Sequence, residues 1–133
     1  MQIDTENPNP GCFFPWPDNK PDEDGGITLR ALNAETLKVV DDATVVKRRR
    51  FRGNAPYDDI KVNEALREEL MWDYSIVDWT DLQDSEEKEI PCTKENKNIL
   101  MKKQFKFAIF VGDCLDQLTE FKEKQEEQEA KNS

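Results

Sequence analysis

Three groups of residues in this chain have the means to do chemistry: the cysteines Cys12, Cys92 and Cys114, the acids between Asp78 and Glu89, and the cations from Lys47 to Arg52. Each is tested first against what its chemistry requires. Histidine is absent from the 133 residues, which removes the usual base at neutral pH and the commonest nitrogen ligand for metals. A cysteine nucleophile then lacks its usual activator. Three widely spaced cysteines form neither a disulfide framework nor a zinc pattern, so free thiols are expected. Serine occurs only at Ser75, Ser85 and Ser133, none of them in a nucleophile-elbow context. The glycines spell neither a phosphate loop nor a dinucleotide fingerprint. No cofactor, metal site or catalytic residue is expected, and the balance is against an enzyme.

The six acids between Asp78 and Glu89 face only Lys88. Carboxylate oxygens are what Ca²⁺ selects, yet the glycine and terminal glutamate of a calcium loop are missing, so a solvated turn is expected. Lys47, Arg48, Arg49, Arg50 and Arg52 stand out in a chain of net charge -10. One reading is a nucleic-acid contact or targeting patch. The preferred reading is a solvated strand or linker whose cations pair with the acidic turn and tail of the same chain, because the net charge disfavours a polyanion partner.

These groups must be positioned by one domain, the simplest organisation for this length. The expected division is a loop-like arm over 1–26, a globular domain over 27–121 and a polar, fraying helical tail over 122–133. In the arm, Pro8, Pro10, Pro15, Pro17 and Pro21 oppose regular structure. The aromatic run Phe13-Phe14-Pro15-Trp16 is unusual for a disordered tail and should dock, in preference on the chain's own domain. Ile27 to Leu32 alternates as a strand with one wet face does. Asn33 suits an N-cap, with Leu37, Val40 and Ala43 as the apolar stripe of a short helix. Val62, Leu66 and Leu70 recur at i+4 and predict a helix over 58–72. Tyr74 to Trp79 reads as a short strand. Thr93 is a plausible N-cap, with Glu95 in the first turn of a helix over 94–103.

From Phe105 onward a longer helix is expected, over 105–128, with Phe107, Phe110, Val111, Cys114, Leu115, Leu118 and Phe121 along one face. Phe105, Ala108 and Ile109 make its first turns apolar on other sides too, so this end is buried or meets a second molecule. The face expected for a partner is Phe105, Phe107, Ile109, Phe110, Val111, Leu118 and Phe121, with ordinary core as the competing reading for each of them. The fold class is α+β and mainly helical: four helices, strands near 27–32, 44–51 and 74–79 in a small two- or three-stranded element, and the N-terminal arm. No apolar run approaches the ~20 residues of a membrane span, and Met1 to Pro10 has no basic or apolar region of a signal peptide. A cytoplasmic location is expected.

The segment Ile76-Val77-Asp78-Trp79-Thr80-Asp81-Leu82, the acidic turn after it, and Glu89-Ile90-Pro91-Cys92-Thr93-Lys94-Glu95-Asn96-Lys97 resemble small proteins encoded in the tail gene clusters of tailed bacteriophages and prophages. A weaker likeness runs through Gly25-Gly26-Ile27-Thr28-Leu29-Arg30 and on into Phe107 and Phe110. The family's turn usually carries a glycine, which Asp84-Ser85-Glu86-Glu87 lacks. Such proteins are generally assigned as tail assembly chaperones. The resemblance implies a non-enzymatic protein of the bacterial host cytoplasm that binds the tape measure protein and helps bring it to the tail tube protein. A homo-oligomer is open. Two other readings are a small regulatory protein contacting nucleic acid through the Lys47 to Arg52 cluster, and a structural tail or connector component.

Overall fold

The computed structural model describes residues 10–132, with the side chains of 121, 122, 124–126, 129 and 132 outside the description. Among the described residues the fold is α+β, with four helices and two small antiparallel sheets. It divides into two compact units, one built from Met1–Ala31 with Trp72–Ser133 and the other from Leu32–Met71.

The first unit is centred on a three-stranded sheet of order β1-β2-β5, from β1 (Cys12–Pro15), β2 (Gly26–Leu29) and β5 (Ile76–Trp79). Residues 12–15, expected to be loop, are thus a strand. Pro15 is tolerated because it closes an edge strand, where no second neighbour needs its missing N–H. Gly26 pairs with Pro15, and a Cβ there would lie 2.2 Å from the carbonyl oxygen of Phe14, so only glycine lets the strands approach. Ile27 and Leu29 alternate inward and are fully buried, as period two requires. Ile76 and Trp79 are also both buried although three residues apart. A register shift opposite Thr28 and Leu29 places one extra residue in β5, which brings both side chains to the same face.

Helices α3 (Lys94–Lys103) and α4 (Phe105–Asn132) pack on each other, and α4 lies against β2. The expected cap is in place: the Thr93 hydroxyl accepts the Asn96 N–H at 3.1 Å. Gln104 leaves the helical region and separates the two helices. The core joins Trp16, Ile27, Leu29, Ile76, Trp79, Phe107, Val111 and Cys114. Trp79 meets Phe107 edge-on at 5.8 Å, and Trp16 lies 5.7 Å from Phe110, separations at which aromatic pairs attract. The arm's aromatics therefore dock in cis. Trp16 Nε1–H donates to the Thr80 carbonyl at 2.7 Å, and Phe14 packs on the core, while Phe13 stays half exposed.

The second unit holds α1 (Ala34–Thr44), β3 (Val45–Arg52), β4 (Ala55–Val62) and the part of α2 (Glu64–Ser75) up to Met71. The Asn33 side chain accepts the Thr36 N–H at 2.8 Å and starts α1 as expected. The predicted helix over 58–72 is corrected: residues 55–62 form β4, and Asn63 caps α2 by accepting the Leu66 N–H at 3.2 Å. β3 and β4 make a hairpin paired from Val45↔Val62 to Arg52↔Ala55, closed by the two residues Gly53-Asn54. Gly53 has φ +61 while Asn54 does not take a positive φ, the pattern of a type II′ turn, whose twist suits the strands.

Candidate partner-binding face and cleft

The N-terminal turns of α4 carry the side chains expected to meet a partner, and the sheet sorts them. Phe107 and Val111 point into the core, at 9% and 0% exposure, so neither is free to meet another molecule. This corrects their expected role: β2 and the tryptophans occupy that face of the helix. Phe110 and Leu118 are partly buried against the same core. Phe105 and Ile109 are exposed at 77% and 46%. The side chain of Phe121 lies outside the described residues. Gly112 comes three residues after Ile109, and a Cβ there would meet nothing within 4 Å. Phe105, Ile109 and Gly112 follow i, i+4, i+7 and so share one outward stripe.

A second feature was not expected from the sequence. An open cleft of 650 Å³ lies between the arm, the segment after β5 and the start of α4. Trp16, Leu82, Phe107 and Phe110 supply its apolar lining, and Asp18, Glu23, Asp81 and Asp84 outnumber Lys20 and Lys106 around it. Its volume is within the range of ligand pockets, roughly 300 to 1,000 Å³. Asp81 takes φ 54, a region that aspartate tolerates better than most residues. It lies so close to Gly25 that a Cβ there would be 2.5 Å from its own Cβ. The only sequence signal for this cleft is the aromatic run in the arm.

The acidic segment after Trp79 closes into a tight turn without glycine. Asp84 and Lys88 are joined through the Asp84 N–H and the Lys88 carbonyl at 2.9 Å, and Asp84 Oδ1 accepts the Glu86 and Lys88 N–H groups at 2.8 and 3.0 Å. Glu87 supplies the positive φ of 62 that glycine would otherwise provide. Among the described residues, no three acidic or cysteine side chains converge as a metal site. The return stretch is tied down by Trp79, whose Nε1–H donates to the Ile90 carbonyl at 2.7 Å. Lys97 is buried, and its Nζ donates to the carbonyl and the carboxylate of Asp73, each at 3.1 Å.

The three cysteines are free. Burial pushes the Cys92 thiol up, the Lys97 charge partly opposes this, and Asp78 adds to it. Burial also pushes Cys114 up, with Asp113 reinforcing it. Both are held as neutral thiols near pH 7, the opposite of an activated nucleophile.

The cations of β3 lie on an exposed ribbon. Arg50 Nε meets Asp59 Oδ2 at 2.8 Å across the hairpin, so its partner is on the neighbouring strand and not in the acidic turn or tail. Lys47, Arg48, Arg49 and Arg52 make no ion pair among the described residues. Arg52 lies 5.9 Å over the Tyr57 ring. A second open cleft, of 740 Å³, is lined by Asp41, Asp42, Glu64 and Arg67 with Val45, Lys47 and Val62; Arg67 is ion-paired to Asp41. Among the described residues no helix is long and apolar enough to cross a membrane. Comparison with protein families, with curated proteins and with solved structures finds no match.

Proposed function

We propose that this chain is a non-enzymatic tail assembly chaperone that receives a helix of the tape measure protein along the outer stripe of α4, in the bacterial host cytoplasm. The observation that carries the reading is the pairing of exposed Phe105 and Ile109 with an open Gly112 on one face of a helix. Apolar side chains at i and i+4 are what a helix-in-groove or helix-on-helix contact uses, and an uncovered glycine lets two backbones approach closely. The net charge of -10 supports the reading from another side, since a complex with an apolar client stays in solution when the carrier is strongly charged. The resemblance of the Ile76 to Lys97 region points to the same class.

The test is co-expression with the candidate tape measure protein, followed by pull-down from the soluble fraction. The Phe105→Asp/Ile109→Asp double variant runs beside the natural chain. Both positions are exposed, so the variant is expected to keep its helical circular dichroism. Soluble co-purification that the variant loses is the expected result. Equal recovery with the variant, or a client left insoluble by the natural chain, overturns the reading.

A further inference from the structure

The hairpin of β3 and β4 is exposed on nearly every residue from Val46 to Val62, with only Asp59 half-buried. A two-stranded hairpin with no sheet face covered is marginal in water, so an occupant for it would add to its stability. Its charge says which kind. Residues 45–62 hold six basic and two acidic side chains, while the rest of the chain holds 13 basic and 27 acidic. A positive ribbon and a strongly negative remainder belong to the same molecule.

The cleft beside Trp16 matches the hairpin in both of its properties. Phe51 and Tyr57 are exposed at 63% and 43% near the hairpin tip, and the cleft has an apolar lining. Arg48 and Arg52 make no ion pair among the described residues, and neither do Asp18 and Asp81 at the cleft. Register puts Arg48, Arg50, Arg52 and Tyr57 on one face of the ribbon, with Phe51 on the other. Aromatic and arginine side chains are the residues that most often carry interface energy.

We propose that the hairpin of one copy seats in the Trp16 cleft of a second copy, with Tyr57 against the apolar lining and Arg48 and Arg52, on the same face of the ribbon, against Asp18 and Asp81. The two surfaces differ, so the contact is heterologous: each copy offers one hairpin and one cleft, and association extends into a ring or a helical array. A nucleic acid is the weaker occupant. Asp58 and Asp59 stand directly across from Arg49 and Arg48, and a polyanion would meet the excess negative charge of everything outside the hairpin.

Sedimentation velocity on the full chain tests this, using two variants. One disables the hairpin (Arg48→Gln/Arg52→Gln/Tyr57→Ala), the other the cleft (Asp18→Lys/Asp81→Asn). The natural chain should form species larger than a monomer in low salt and lose them in high salt, because exposed ion pairs are screened. Each variant alone should sediment as a monomer. Their equimolar mixture should give a dimer and nothing larger, since one intact hairpin and one intact cleft remain. That dimer also shows that both variants are folded. A natural chain that is monomeric in low salt overturns the proposal, including the case where it instead binds a fluorescent oligonucleotide through the hairpin. So does association that survives in either variant, or a mixture that stays monomeric.

Discussion

Phe105 and Phe107 are two residues apart in one apolar run, and replacing each by alanine should have opposite consequences. Phe107 is 9% exposed, stands edge-on to Trp79 at 5.8 Å and lies 6.3 Å from Trp16. Truncating a buried phenylalanine removes its transfer free energy and leaves a cavity, which together cost about 3 to 5 kcal/mol. That is a large part of the 5 to 15 kcal/mol by which domains are typically stable, about. Phe105, at 77% exposure, should change stability by no more than about 0.5 kcal/mol. In urea, with a slope of roughly 2 kcal/mol per M, Phe107→Ala should lower the midpoint by about 2 M and Phe105→Ala by less than about 0.3 M. Tryptophan fluorescence is the right probe, because Trp16, Trp72 and Trp79 all belong to the first unit and report its unfolding alone. Circular dichroism run in parallel shows whether the second unit follows. A midpoint shift below about 0.5 M for Phe107→Ala at unchanged slope, or an equal loss for Phe105→Ala, would refute the assignment of core and surface on α4. It would also mean that loss of client capture on changing Phe105 could reflect unfolding and not a lost contact.

Two other outcomes follow from the same region. Trp79→Phe keeps an aromatic ring against Phe107 but loses the donor to the Ile90 carbonyl, 2.7 Å away. It should cost about 1 to 2 kcal/mol, from the lost hydrogen bond and the lost volume together, read as a lower urea midpoint; no change would mean that the return stretch is held by other contacts. Burial raises the Cys92 thiol above its ordinary 9.0, so the folded state favours the neutral form. The stability this contributes is present below that ordinary value and is lost as pH rises through the raised one. As pH rises past 9.0 the natural chain should therefore lose more stability than Cys92→Ala, and parallel losses in the two would contradict the burial of the thiol.

The helices α3 and α4 were legible because their signals are local: Thr93 caps the first, and a 3.6-residue apolar period marks the second. Residues 55–62 were not. Val62, Leu66 and Leu70 continue one i+4 series across Asn63, and the series ran the predicted helix backwards over the cap that begins it. Proline ordinarily ends regular structure, whereas a hairpin strand has a free edge on which Pro56 is tolerated. The signal that could have found the hairpin was Gly53-Asn54, a two-residue loop type, between segments that pair from Val45↔Val62 to Arg52↔Ala55. The strand in the arm was obscured by its prolines in the same way. Which phenylalanines of α4 are buried could not be read from spacing, because Phe105 and Phe107 are equally apolar. The choice is made by where β2 lies, a contact between residues some eighty positions apart in the chain.

The residues that carry the resemblance are spent inside the molecule. Trp79 holds the Ile90 carbonyl, the Asn96 side-chain amide donates to the Pro91 carbonyl at 2.9 Å, Thr93 caps α3, and Lys97 reaches back to Asp73. Taken together they tie β5 to the return stretch, cap α3 and link α3 to Asp73 of α2. These four polar side chains are satisfied within the chain, while Asp81 of the same stretch lines the Trp16 cleft. On the proposed chaperone reading, the client is met by side chains that this stretch does not contain, Phe105 and Ile109 on α4. On that reading, a chain that kept Trp79, Thr93 and Lys97 but changed Phe105 and Ile109 should fold alike and lose its client.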